Sequence, residues 1–344
     1  LLEVARSANV AIDAPCSGNG ACGKCRVQLK SGELESKKTL HISDEEYQAG
    51  WRLSCCSKIS ADVNVLVPDI ASAYKSRMKV ADLSSKEEIA IFENAKSDIQ
   101  LAGIELKNSL EVVDVLMDVP SLDDTMPDNE RLTRALRKYL NINRVRIPYV
   151  VLKKLPDVLR ENNFAVKCVI RATSDDMYVY DIFGKDEDVI IGGLAIDIGT
   201  TTVSAVLINM ENGEILAKSS AGNGQIRFGA DVINRIVESQ KPGGQKKLQD
   251  AVIKETINPM IHEMCRSANF PANRIYRMCV ASNTTMNHLF AGINSDPLRT
   301  EPYIPAFFKT NSLFASDVGI EINKDAHIIM APNIGSYVGE VGGQ

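Results

Sequence analysis

Four cysteines near the amino-terminal end have a spacing that can do chemistry. Cys16, Cys22 and Cys25 share one short stretch, and Cys55 follows after 29 intervening residues, which gives C-x5-C-x2-C-x29-C. Thiolates are the ligands that iron–sulfur clusters require, and ferredoxins place three in one loop and a fourth far downstream. The spacing therefore predicts a two-iron, two-sulfur (2Fe-2S) site on these four cysteines.

The residues between the cysteines suit the same purpose. A loop that wraps a rigid inorganic core needs backbone freedom, which Gly18, Gly20 and Gly23 supply. Zinc also takes four thiolates, but its ligands usually come as two separate C-x2-4-C pairs. One loop with three cysteines and a lone distant cysteine favours the iron–sulfur cluster over zinc.

Cys56 directly follows the predicted fourth ligand and leaves a choice open. We prefer Cys55, because it ends the approach Arg52-Leu53-Ser54 and keeps the gap of 29 residues. We expect Cys56 to point to the opposite face and to bind no cluster.

A second candidate site is the turn Gly199–Thr202, between a buried strand that ends on Asp197 and the strand Val203–Ile208. Glycine lets the backbone approach a phosphate, and amides and threonine hydroxyls can hydrogen-bond its oxygens. Asp197 can hold Mg²⁺ through waters, because magnesium keeps most of its hydration. The turn lacks the Gly-Lys-Ser/Thr of a P-loop. The alternative is an ordinary tight hairpin.

Two further segments carry weaker signals. Asp231 precedes a predicted helix, where it can be an N-terminal helix acid or a carboxylate that orients water at a γ-phosphate. Asn283 and Thr284 follow a buried strand and open a helix. They can face a phosphate or simply cap the helix.

The element pattern predicts a multidomain protein of mixed α+β and α/β class. Residues 1–67 alternate short strands and turns around the cysteines, and 68–100 read as a polar linker with a possible helix cap at Ser85. Residues 101–188 predict a small α+β middle domain. From 189 to 344, three antiparallel strands and then alternating helices and strands predict a ribonuclease-H-like half-domain.

Composition limits the function further. A net charge of −5 argues against nucleic-acid binding, and no apolar run is long enough to span a membrane. Cysteines stand singly in apolar runs at Cys168, Cys265 and Cys279, which predicts buried structural thiols. The cysteine pattern does not suit a secreted disulfide framework, so we expect a reducing, cytoplasmic protein. The opening residues read as the middle of a domain, so we expect a fragment whose N-terminal hairpin is missing.

Known families share these motifs. The cysteine loop and the segment Trp51–Cys55 resemble plant-type, β-grasp ferredoxins, and Asp197–Thr202 resembles the first phosphate loop of the actin, sugar kinase and Hsp70 ATPases. The order of the units resembles the reductive activators of corrinoid proteins. That resemblance rests also on Asn223-x-Gln225, Gly229-x-Asp231-Val232-Ile233, Asn283-Thr284-Thr285-Met286 and Gly335-Ser336-Tyr337-Val338-Gly339.

The resemblance implies an ATP-dependent corrinoid-protein reductase. One electron from the 2Fe-2S cluster would reduce Co(II) corrinoid to Co(I) in a partner protein of a methyltransferase system. It also implies a low-potential electron donor and a possible homodimer. In its ATP and Mg²⁺ site Asp197 and Asp231 would be catalytic, and the phosphates would lie on Gly199, Thr200, Thr201, Thr202, Asn283 and Thr284.

The sequence departs from the family at three points. Only the first half of an actin-like ATPase is present, Glu340 follows Gly339 where the family continues into an Asp, and Ser282 replaces a usual glycine. We therefore expect a truncated or divergent ATPase. The alternative function is a 2Fe-2S electron-transfer or redox- and nucleotide-sensing adaptor on a non-hydrolysing ATPase-like scaffold.

Overall fold

The computed structural model describes most of the chain. The described residues are 1–7, 10, 12, 14, 20, 23–68, 90, 94, 97–99, 101–103, 110–140, 142–173, 175–310, 313–333 and 335. Cys16 and Cys22, the predicted helix cap at Ser85 and most of the predicted linker lie outside them. No helix among the described residues is long and apolar enough to cross a membrane.

The amino-terminal unit is a small β-sheet fold with short helices. The strands Trp51–Leu53, Arg26–Ser31 and Asn64–Leu66 form one antiparallel sheet in that spatial order. Its core includes Val27, which is fully buried, and Leu53. In chain order the elements are α1 (Leu2–Ser7), β1 (Arg26–Ser31), β2 (Leu34–Ser36), α2 (Asp44–Gln48), β3 (Trp51–Leu53), β4 (Ser57–Ile59) and β5 (Asn64–Leu66).

The middle unit is a four-stranded sheet with two helices. Its strand order is β6-β8-β9-β7, and the short β7 pairs with β9 in parallel. Leu132, Leu136, Leu155 and Leu159 on the two helices are fully buried, as their amphipathic spacing predicts. The elements are β6 (Leu110–Leu116), α3 (Asp128–Leu140), β7 (Arg144–Arg146), α4 (Tyr149–Glu161), β8 (Ala165–Ala172) and β9 (Asp176–Gly184).

The third unit is a five-stranded sheet in the order β12-β11-β10-β13-β14. The first three strands form an antiparallel meander, and β13 and β14 run parallel to β10. The ends of β10, β12, β13 and β14 therefore meet at one edge of the sheet. The elements are β10 (Gly192–Ile198), β11 (Thr202–Asn209), β12 (Ile215–Gly222), α5 (Val232–Ser239), α6 (Gly244–Val252), α7 (Asn258–Ser267), β13 (Ile275–Ser282), α8 (Thr284–Ala291), α9 (Ala315–Val318) and β14 (His327–Met330).

One predicted helix has an irregular centre. The sequence predicts a single helix over 244–268, and the structure has α6, a π-helical turn at Ile253–Ile257, and α7. Pro259 lacks an N–H and cannot continue a regular α-helical ladder, so a wider turn at this point relieves the mismatch.

The middle and third units share an apolar cluster. Tyr276 at the start of β13 is fully buried, and its ring lies 5.5 Å from that of Tyr180 on β9. Arg274 donates to the Asp188 carbonyl, and Arg171 Nη1 lies 2.8 Å from His327 Nε2. The amino ends of β13 and β14 thus face the middle unit, at the edge opposite the phosphate turn.

The sheet face that turns away from the helices is partly open. Cys279 lies on this face of β13 and is exposed, and Ile329 on β14 is 44% exposed. The prediction that Cys279 is a buried thiol is wrong, because alternate residues of a strand point to opposite faces and the described helices pack on the face that Cys279 does not share. Cys168 and Cys265 are buried, as predicted. The predicted fold class, with its mixed α+β and α/β units, is confirmed.

Candidate functional site

Two of the four predicted cluster ligands meet in the described structure. Cys25 precedes β1 and is 1% exposed, and Cys55 lies in the 3₁₀ turn Ser54–Cys56 after β3. The antiparallel pairing of β1 with β3 joins these chain segments, and Ser54 N donates to the Cys25 carbonyl at 2.8 Å. The two Sγ atoms lie 3.1 Å apart. Two cysteines from distant parts of the sequence thus lie side by side, as two ligands of one cluster would.

The contact between these thiols changes their acidity. Hydrogen bonding to Cys55 lowers the pKa of Cys25 to about 6, while the same contact and burial raise the pKa of Cys55. One thiolate of the pair therefore forms easily at neutral pH with its neighbour as hydrogen-bond donor. Easy loss of a proton is what a metal-binding thiol needs.

Cys56 does not point to the opposite face. Its Sγ lies 3.6 Å from that of Cys55, and a Cβ built on Gly20 would lie 3.2 Å from Cys56 Sγ. The prediction of an opposite orientation assumes a strand, whereas residues 54–56 form a 3₁₀ turn in which neighbours diverge by about 120°. Cys56 therefore lies beside the cysteine loop and remains a competing ligand by distance.

The backbone near the cysteines fits a cluster loop. Gly20 and Gly23 have positive φ angles of 74° and 66°, a region that side chains rarely adopt. A Cβ on Gly23 would also lie 2.6 Å from the His41 side chain. The left-handed glycine conformations, the close packing and the two adjacent thiols fit an iron–sulfur group.

Hydrogen bonds donated to its backbone carbonyls hold the turn after β10 in place. Asn223 Nδ2 donates to the Gly199 carbonyl at 2.8 Å, and Asn223 N donates to the Thr201 carbonyl at 2.8 Å. The Thr200 carbonyl accepts from Arg235. In a trans peptide the carbonyl and the following N–H point in opposite directions. The amides of Thr200, Thr201 and Thr202 therefore point away from these donors, as an anion site requires.

Asp197 is the penultimate residue of β10 and lies beside this turn. Its side chain is exposed to solvent, yet the surrounding protein partly desolvates the carboxylate and raises its pKa. It lines a groove on the open sheet face together with Lys309 and Ser204. A carboxylate next to a phosphate turn can bind hydrated Mg²⁺.

Asp231 caps α5 in the structure. Its Oδ1 accepts from Asn234 N at 2.8 Å, and its Oδ2 accepts from Asn234 Nδ2 at 2.7 Å. Both carboxylate oxygens thus serve the helix end, which is the structural one of the two roles predicted for this residue.

Asn283 and Thr284 are also engaged at a helix end. Asn283 Oδ1 accepts from Met286 N at 3.0 Å, the N-cap interaction of α8. Thr284 is fully buried, and its hydroxyl donates to the Gly335 carbonyl at 2.5 Å. Gly335 is the one described residue of the Gly-Ser-Tyr-Val-Gly phrase, whose remainder and Glu340 lie outside the described residues.

A buried polar network missed by the sequence analysis fixes this corner. Ser282 Oγ donates to Asn287 Oδ1 at 2.6 Å, and Asn287 Nδ2 donates to Asn333 Oδ1 at 2.7 Å. Ser282 thus has a structural partner at the position where the family usually has glycine. The network joins the ends of β13 and β14, and the predicted phosphate-site residues lie along one sheet edge.

Comparisons with known proteins follow the three units. The family model of the 2Fe-2S iron-sulfur cluster binding domain matches residues 1–60. The RACo linker region matches residues 99–189, and the RACo middle region matches residues 192–341. The chain therefore contains a 2Fe-2S cluster binding domain.

Over nearly its whole length, the chain is similar to corrinoid activators. The corrinoid activation enzyme RamQ of Eubacterium limosum is 26% identical over 339 residues, which are 98% of this chain and 50% of RamQ. The solved structure of a reductive activator for a corrinoid, iron–sulfur protein is 31% identical with a TM-score of 0.61, and the match covers 98% of this chain and 53% of that one.

The amino-terminal unit has relatives of its own. One component of the Na(+)-translocating NADH-quinone reductase of Actinobacillus succinogenes is 38% identical over 71 residues, which are 20% of this chain and 17% of that component. The chain spans about half the length of the corrinoid activators that it matches. A 2Fe-2S cluster binding domain, a RACo linker region and a RACo middle region thus follow one another along the chain, which is similar over 98% of its length to reductive activators of corrinoid proteins.

Proposed function

We propose that this chain is the electron-input and nucleotide-handling part of an ATP-dependent corrinoid-protein reductase. The observation that carries the proposal is the 3.1 Å approach of Cys25 and Cys55, supplied by two distant segments of a 2Fe-2S domain. Cys16, Cys22, Cys25 and Cys55 would hold the cluster, which supplies one-electron chemistry when bound.

The protein's own residues prepare that site. The β1–β3 pairing fixes the Cys25–Cys55 distance, and hydrogen bonding between the thiols favours ionisation of one of them. The apolar core with Val27 and Leu53 lies beside them and limits solvent access. Solvent exposure and hydrogen bonds to sulfur set the potential of such a cluster.

ATP would couple to this transfer through the turn after β10. A plant-type two-iron ferredoxin has a potential of about −400 mV, and Co(I) is a stronger reductant, so the transfer is uphill. A nucleotide can drive it only by binding one conformation of the complex better than another. The outward amides of Thr200 to Thr202 and the carboxylate of Asp197 would bind the phosphates with Mg²⁺.

The test uses the protein with a Co(II) corrinoid partner from a methyltransferase system and a low-potential electron donor. We expect Co(I) absorbance to appear with MgATP and not without nucleotide. Equal rates in both conditions would contradict the ATP-dependent reductase. A Cys16→Ala variant serves as the control, because loss of the cluster should abolish Co(I) formation in either condition.

A second function has one observation in its favour. Both Asp231 oxygens and Asn283 Oδ1 serve helix caps, which suits an ATPase-like scaffold that does not hydrolyse ATP. In that case the chain is a 2Fe-2S electron-transfer or redox- and nucleotide-sensing adaptor. Phosphate release measured with MgATP distinguishes the two: turnover favours the reductase, and binding without turnover favours the adaptor.

A further inference from the structure

Arg235 is a fully buried arginine on α5. The cost of removing a guanidinium from water is large, so its hydrogen bonds must offset it. Its partners come from three separate parts of the third unit, which makes Arg235 the centre of a network rather than a surface cation.

The contacts of Arg235 join all the candidate phosphate-site segments. Its Nε donates to the Gly229 carbonyl at 2.9 Å, and Nη1 donates to Gln225 Oε1 at 3.1 Å. Nη1 also lies 3.2 Å from Met286 Sδ on α8, and Nη2 donates to the Thr200 carbonyl. One planar group thus links the turn after β10 to the segment before α5 and to α8.

Gln225 extends this link into the core. It is fully buried, and its Nε2 donates to the Leu248 carbonyl on α6 at 2.9 Å. Its backbone N–H donates to Asn223 Oδ1 at 2.9 Å, so the side chain that holds the Gly199 carbonyl is fixed by the same segment. Arg235 and Asn223 therefore grip the turn from one rigid base.

We propose that Arg235 is a positioning residue that aims the amides of the Gly199–Thr202 turn at a phosphate group. By fixing the Thr200 carbonyl inward, it turns the Thr201 N–H outward. Its buried positive charge, in contact with the Thr200 carbonyl, also favours the binding of an anion at the turn. This inference rests on the proposed nucleotide function and adds a residue that does not itself touch the phosphate.

Lysine cannot replace arginine in this role. The guanidinium donates in several directions in one plane, whereas an ammonium is a compact point charge on a flexible stem. Arg235→Lys keeps the charge and loses the fixed geometry, and Arg235→Met removes both. Arg266→Met is a matched control, because Arg266 is an exposed arginine on α7 of the same unit.

The first experiment measures hydrogen–deuterium exchange in the nucleotide-free chain. We expect faster exchange of the Asn223 amide in Arg235→Lys, because this N–H donates to the Thr201 carbonyl and is protected only while the turn is held in place. Exchange in α6 and α7 should be unchanged, and Arg266→Met should behave as the wild type. Unchanged exchange of the Asn223 amide in Arg235→Lys overturns the proposal, and so does a uniform increase over the whole unit, which marks a general stabilising role.

The second experiment measures MgATP binding by calorimetry. We expect Arg235→Lys to weaken binding by about tenfold or more, as for loss of a charge-assisted hydrogen-bond network, and Arg266→Met to leave it unchanged. Wild-type affinity in Arg235→Lys overturns the proposal even if Arg235→Met fails to fold. If the wild-type chain binds no MgATP, the proposed nucleotide function fails, while the exchange of the Asn223 amide still decides whether Arg235 positions the turn.

Discussion

At the residue scale, Cys55 and Cys56 are the two candidates for the fourth cluster ligand. Spacing favours Cys55, and the structure places its Sγ 3.1 Å from Cys25, while Cys56 Sγ lies 3.6 Å from Cys55. The shorter distance joins two cysteines that the pairing of β1 with β3 brings together, whereas Cys56 is close to Cys55 because it is the next residue in a 3₁₀ turn.

Replacing each thiol separately tests this assignment. We expect Cys55→Ala to lose the visible absorbance and the bound iron of a 2Fe-2S cluster, because one iron loses a ligand. Cys56→Ala should retain both and is the matched control. Loss of the cluster in Cys56→Ala with retention in Cys55→Ala would move the fourth ligand to Cys56.

Asp197 allows stability and function to be separated. Partial desolvation by the surrounding protein raises the pKa of its exposed carboxyl, so the negative charge is held at some cost in the folded protein. We expect Asp197→Asn to keep or raise the melting temperature and to weaken MgATP binding by about tenfold or more, since a charge-assisted contact is lost. A binding loss of the same size without Mg²⁺ would contradict a role in magnesium binding.

At the scale of secondary-structure elements, the turn between β10 and β11 leaves no space for a side chain at Gly199. A Cβ on Gly199 would lie 2.7 Å from the Thr202 carbonyl oxygen, a distance that real Cβ atoms do not reach. Gly222 pairs with Thr202 on the neighbouring strand, and a Cβ there would meet no atom within 4 Å. Gly199 and Gly222 lie close together in the sheet, but only Gly222 has space for a side chain.

These glycines give a matched pair of variants. We expect Gly199→Ala to destabilise the protein by about 1–3 kcal/mol, because the turn must shift to relieve the clash, and to lose MgATP binding. Gly222→Ala should change both only slightly. Chemical denaturation and calorimetry measure the two effects, and equal behaviour of the variants would show that the turn tolerates a side chain.

The same elements show how far the sequence predicts the structure. The strands around Asp197 follow from their apolar runs. The pair Asn212-Gly213 between β11 and β12 is a strong hairpin signal, and Gly213 has the positive φ of 76° that such a turn needs. The pairing of β7 with β9 and the exposure of Cys279 depend on which distant segments cover each strand. Local patterns carry no such information, and neither do they show that Arg235 is buried.

At the scale of the whole molecule, the middle unit packs against the amino ends of two strands of the third unit. Tyr276, the second residue of β13, packs against the middle unit, and the same strand ends at Ser282 beside Asn283. His327 likewise begins β14, which leads to Asn333. A shift of the middle unit would therefore act directly on strands whose far ends carry the candidate phosphate site, because closely packed interiors transmit strain.

His327 gives this interface a measurable pH dependence. Burial, together with Arg171 and Arg277, lowers the pKa of His327 to about 4 from its ordinary 6.5. Above pH 6.5 the ring is neutral in both the folded and the unfolded chain and adds no slope. Between pH 6.5 and 4 the unfolded chain binds a proton that the folded chain does not. The free energy of unfolding therefore decreases as the pH is lowered through this window.

A single substitution isolates that contribution. His327→Gln keeps an acceptor for Arg171 Nη1, which lies 2.8 Å from His327 Nε2, but cannot titrate. We expect its melting temperature to fall less than that of the wild type as the pH drops through the same window. Burial also lowers the pKa of His288, but that residue titrates in both proteins and cancels in the difference. Parallel pH profiles of the two proteins would mean that His327 takes up its proton in the folded interface as readily as in the unfolded chain.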